Sequence, residues 1–91
     1  MREIDMTPYE EHFSALEKLY FERNAHMNIV AFMSDRNSFT QEQYDRVFTD
    51  YLNILKKYET QIQLFEENVI IPVCGHVNWH ADFRKRVIYL D

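Results

Sequence analysis

From Tyr9 to Ile71 this chain contains neither glycine nor proline, and the run is bounded by Pro8 and Pro72. Glycine and proline are the two residues that most oppose helix, so their absence over such a length predicts helix. Within the run, apolar residues recur at alternating steps of four and three, which places them on one helical face. A first seam reads Tyr9, Phe13, Leu16, Tyr20, Met27 and Val30, with Arg23 and Ser34 in the two remaining slots. A second reads Tyr44, Phe48, Tyr51, Leu55, Tyr58, Ile62, Phe65 and Val69, with no polar interruption.

The ends of these helices are also written locally. Thr7 is placed to cap the first, Pro8 suits its first position, and Glu10 completes a capping box. Helix 1 is expected over about residues 8–36, ended by Asn37 in a left-handed conformation. Thr40 and Gln43 form a second capping box, with Phe39 and Tyr44 as its hydrophobic staple, so helix 2 is expected over about residues 41–71. Two seams of matching length joined by a short connection make an antiparallel helical hairpin.

Beyond Pro72 the period changes. Val77, Trp79, Ala81, Phe83, Val87 and Tyr89 alternate with polar residues, a period of two that predicts a strand over about 76–90, interrupted by Lys85. A lone strand is unstable, so it needs a partner: residues 2–6, the same strand of a second subunit, or a strand of another protein. The whole is expected to be one mainly α domain, residues 1–91.

Composition adds a constraint. A 91-residue chain that is 46% apolar and 15% aromatic holds more large apolar surface than a single hairpin can hide. Phe21, Ala25, Ile29 and Phe32 lie on the reverse side of helix 1, away from its seam. The C-terminal tail or a second hairpin would bury them, and both are expected: a homodimer that closes into a four-helix bundle, with the tail covering an edge.

The stretch from Cys74 to Asp82, CGHVNWHAD, gathers a thiol, two imidazoles and a carboxylate. In an extended chain Cys74, His76, Asn78, His80 and Asp82 project to one side, so the cluster reads first as the solvated face of a strand. Zinc would accept Cys74, His76 and His80, although their spacing matches no established site and requires the chain to turn at Gly75 or ligands from another subunit. Nucleophilic catalysis by Cys74 would also need a base and an oxyanion hole, which a chain with one glycine is poorly equipped to build. Arg84-Lys85-Arg86 reads as a solvated strand edge, or as the counter-charge to Glu66 and Glu67 at the end of helix 2.

Net charge is −5, acidic through residue 72 and slightly basic after it. That balance does not suit nucleic-acid binding, which needs a basic patch. With no secretory signal, no membrane-length apolar run and one cysteine, the expected location is the cytoplasm. The expected function is a small non-catalytic protein–protein interaction module, an adaptor, accessory factor or inhibitor without a cofactor, which presents a helix face, adds its C-terminal strand to a partner, or both. Trp79, Phe83 and Tyr89 on the tail and Phe21, Ile29 and Phe32 on helix 1 are its expected contact residues. The competing expectation is a metal-binding or redox-responsive regulator built on Cys74, His76 and His80.

Overall fold

The computed structural model describes residues 2–35 and 38–91. Strand β1 (Arg2–Asp5) leads through a 3-10 turn (Thr7–Tyr9) into helix α1 (Glu10–Ser34). Helix α2 (Gln41–Phe65) returns antiparallel to α1 and continues through a π turn (Glu66–Ile70) into a last helical turn, α3 (Ile71–Cys74). Strands β2 (Trp79–Asp82) and β3 (Val87–Leu90) complete the chain. The two long helices pack against each other, and β1 and β2 flank β3 in a three-stranded antiparallel sheet. No helix among the described residues is long and apolar enough to cross a membrane.

The helical hairpin is the expected one, and its second capping box forms. The Thr40 hydroxyl accepts from the Gln43 N–H at 3.1 Å, and the Gln43 side chain accepts from the Thr40 N–H at 2.9 Å. The first capping box does not form. Thr7 turns to Asp5 instead, whose carboxylate accepts from its N–H and its hydroxyl at 2.9 and 2.7 Å. Phe39, expected to staple to Tyr44, has its ring 6.1 Å from that of Phe32. The expected helix end at Asn37 lies outside the described residues.

Helix 2 runs past Pro72 rather than stopping before it. A proline clashes with the carbonyl four residues back in a regular helix. Here the preceding turn is widened to π geometry, with the Ile71 N–H donating to the Glu66 carbonyl five residues earlier. The extra residue also lets Phe65, Val69 and Ile70 all face the core. Gly75 then ends the helix at φ 81°, a conformation that side-chain-bearing residues rarely adopt.

The tail is a hairpin rather than one continuous strand. Residues 83–86 turn the chain, with the Lys85 N–H donating to the Asp82 carboxylate at 3.0 Å and Arg86 in the left-handed region at φ 57°. Register pairs Trp79 with Leu90 and Ala81 with Ile88, so these four share the face toward the helices. Tyr89 consequently lies opposite His80 on the other face, their rings 5.2 Å apart, and not beside Trp79 and Phe83. Of the three partners open to the strand, residues 2–6 supply one: β1 pairs with β3, Ile4 opposite Ile88.

The core sits at one end of the hairpin. Met6, Phe13, Leu16, Phe65, Val69, Ile70, Ile88 and Leu90 form one buried cluster where the start of α1, the end of α2 and the inner face of the sheet meet. Toward the far end of the helices, Met33 is the one buried apolar side chain among the described residues. The molecule is 48 Å long and 21 Å in each other direction, so much of that length is a bare two-helix rod.

Adjacent residues at the end of α2 test this layout. Phe65 is fully buried and Leu64 is 43% exposed. Phe65→Ala is expected to cost about 3–5 kcal/mol in urea unfolding, and Leu64→Ala less than about 1 kcal/mol.

Candidate interaction surfaces

Two surfaces stand out, one on the helical rod and one beside the sheet. On α1, Phe21, Ile29 and Phe32 are 57%, 47% and 52% exposed. They fall on one helical stripe with exposed Ala25, because steps of three, four and seven return to the same face. The stripe points away from α2, and the tail does not cover it. Phe83 comes within 6.3 Å of the Phe21 ring at one end, and Phe39 meets Phe32 at the other.

The second surface is a cleft of about 480 Å³ between β2 and the two long helices. Tyr20, Tyr58, Ile62, Trp79 and Phe83 supply its apolar lining, and Glu66, Asn78 and His80 its polar groups. The Trp79 indole N–H donates to the Glu66 carboxylate at 3.2 Å, and its ring lies 5.2 Å from Phe65. This bond fixes the tryptophan as the wall between core and cleft. Behind the cleft, Arg23 lies against two of its tyrosines, with its guanidinium carbon 4.8 Å from the Tyr58 ring centre and 5.3 Å from that of Tyr20. Burial raises the pKa of the Tyr58 phenol, and the nearby Arg23 charge partly opposes the rise. Arg23 therefore fills its seam slot by stacking on aromatic faces, not by pairing with an acid of the facing helix. Its Nη2 donates to Asn24 at 2.9 Å, while its buried Nε has no hydrogen-bond partner among the described residues.

Arg86 holds the sheet to α1. Its Nε and Nη2 donate to the two carboxylate oxygens of Glu10 at 3.1 and 2.7 Å, and its Nη1 donates to Glu17 at 3.2 Å. Its guanidinium carbon sits 5.1 Å from the centre of the Phe13 ring. The basic triplet thus answers Glu10 and Glu17 on α1, whereas Glu66 is engaged by the Trp79 indole. The same clamp explains the missing first capping box, since the Glu10 side chain is committed to Arg86 and Ser14.

The donors proposed for zinc fall in three separate places. Cys74 closes α3 and packs against the core, His76 lies in the connection after it, and His80 faces Tyr89 on β2. No group of three or more His, Cys, Asp or Glu among the described residues is placed to hold a metal ion. Trp79 and Phe83 both line the cleft, and Phe21, Ile29 and Phe32 share the stripe, so those five group as two surfaces. Tyr89 joins neither. Sequence patterning did not reveal the cleft residues Tyr20, Tyr58 and Ile62 as a surface, because each also fits a helix seam.

The chain matches no family model, no curated protein and no solved structure.

Two side chains give direct tests. The Ser14 hydroxyl and Arg86 hold the Glu10 carboxyl below its ordinary value of 4.5. A carboxyl lowered on folding contributes stability above its unfolded value and loses it as pH falls through the folded one. The melting temperature of Glu10→Gln is therefore expected to lie a few degrees below wild type at about pH 6, with the gap closing toward about pH 3. Arg23→Met should change unfolding free energy by less than about 1 kcal/mol, since the lost stacking is offset by removing an unsatisfied buried N–H.

Proposed function

We propose that this chain is a small non-catalytic protein–protein interaction module that self-associates through the exposed stripe of α1. The observation that carries this reading is the exposure of Phe21, Ile29 and Phe32 on a helix whose other face is already committed to α2. A helix that is apolar on two opposite sides is ordinarily buried on both. A second copy offers the same stripe about a two-fold axis, and joining two hairpins this way makes a four-helix bundle.

Magnitudes set the strength of the association. Covering the exposed parts of six such side chains, three from each copy, contributes roughly 1–1.5 kcal/mol apiece. Association costs roughly 4 kcal/mol or more in lost freedom, so the surplus is at most roughly 5 kcal/mol and points to a weak dimer with a Kd of about 0.2 mM or higher. The dispersal of Cys74, His76 and His80 supports a surface role over a metal-centred or catalytic one. The single free thiol of Cys74 suits a reducing compartment, in keeping with a cytoplasmic location.

Light scattering over a concentration series tests the proposal. The 11.2 kDa chain should move toward twice that mass as concentration rises from about 0.1 to about 5 mM. Phe21→Ser/Phe32→Ser should remain at the single-chain mass with an unchanged circular dichroism spectrum. A wild-type protein that stays monomeric at about 5 mM would exclude self-association of this strength.

A further inference from the structure

We propose that the free edge of β2 accepts an extended segment of another protein as a fourth strand, with that segment's alternate side chains entering the aromatic cleft. The evidence is the hydrogen-bond register. The Met6 N–H donates to the Arg86 carbonyl at 2.9 Å, and the Asp91 N–H to the Asn78 carbonyl at 3.2 Å. Antiparallel pairs alternate between bonded and non-bonded. Stepping by two from Asn78 and Asp91, the bonded pairs of β2 with β3 are His80 with Tyr89 and Asp82 with Val87. The peptide groups of Trp79 and Ala81 therefore point away from β3, and no hydrogen bond to them is present among the described residues.

The cleft lies where those groups point. Its lining includes the consecutive β2 residues Trp79, His80 and Ala81, which belong to both faces of the sheet. A hollow that touches both faces of a strand runs along its edge. Its opposite wall is helical, Tyr20 of α1 with Tyr58 and Ile62 of α2. Unpaired peptide groups on one side and aromatic rings on the other suit an extended backbone carrying large apolar side chains at every second position. A helical ligand would leave the edge groups unmet, because its own backbone is already bonded. The volume is that of a ligand-sized pocket, enough for one or two such side chains. The carboxylates of Glu66 in the lining and Asp82 at the end of β2 favour a segment with basic flanks.

This inference extends the interaction-module reading to a second surface and does not depend on self-association through α1. The probe is a blocked peptide, Lys-Thr-Ile-Thr-Phe-Thr-Lys, in three forms: unmodified, N-methylated on the isoleucine and phenylalanine, and N-methylated on the threonines between and after them. Each is titrated into isotope-labelled protein, wild type and Phe21→Ser/Phe32→Ser, with backbone amide shifts as the readout. The unmodified peptide should bind both proteins with a Kd on the order of 100 μM, shifting the amides of Trp79 and Ala81. One methylated form, and not the other, should bind at least about 10-fold more weakly, because only one edge of a peptide can face β2. Absence of binding at about 2 mM, or equal binding of the two methylated forms, overturns the proposal. Movement of the Trp79 and Ala81 amides with protein concentration alone also overturns it, by showing the edge taken by a second copy.

Discussion

Phe13 lies at the point where helices and sheet become one body. Its side chain is fully buried, its ring 6.2 Å from Phe65 of α2 and 5.1 Å from Phe83 at the start of the tail turn. The Arg86 guanidinium packs on the same ring while bonding to Glu10 one helical turn earlier. A pair of helices alone can shield only the stripes that face each other. The sheet supplies the third side, and it reaches only the end of the hairpin where Phe13 lies. Stability is consequently graded along the molecule. Opening of the distal rod exposes little that is not already exposed, whereas opening near Phe13 disrupts every layer at once.

That gradient explains which parts of the fold were legible in the sequence. Both helices were, because the four-and-three spacing is local and α2 carries it without a break. The Thr40–Gln43 cap was legible for the same reason. The partnership of residues 2–6 with the tail could be named as an option but not chosen, since pairing distant in sequence leaves no periodic trace. The tail turn was missed because Phe83-Arg84-Lys85-Arg86 contains no glycine, proline, asparagine or aspartate. Arg86 adopts the left-handed conformation without those residues because its side chain is held by Glu10 and Glu17. Missing that turn reversed the face assigned to Tyr89. Pro72 misled in the opposite direction, for the π turn before it relieves the clash that would end a regular helix.

The two candidate surfaces differ in how they were found. The stripe of Phe21, Ile29 and Phe32 follows from helical spacing alone, and the structure leaves it exposed. The cleft is a product of tertiary placement. Tyr20 and Tyr58 read as ordinary seam residues, yet Arg23 between them spreads its guanidinium over both rings. The aromatic area of both tyrosines lies beside the sheet, where Trp79 and Phe83 add to it.

The two edges of the sheet differ in what they present. On β1 the alternation set by the Met6–Arg86 bond turns the free peptide groups of Glu3 and Asp5 outward. Those positions carry carboxylates, and the Asp5 carboxylate folds back to bond Thr7. Charge on a short edge strand is a common defence against unwanted pairing. On β2 the outward peptide groups belong to Trp79 and Ala81, apolar residues beside an open aromatic cleft. One sheet thus has a guarded edge and an unguarded one, four residues long in each case. An edge left open by neglect would be a standing aggregation hazard. At an edge flanked by apolar walls, a pairing strand would also have to fit its side chains to those walls, which narrows what can pair there.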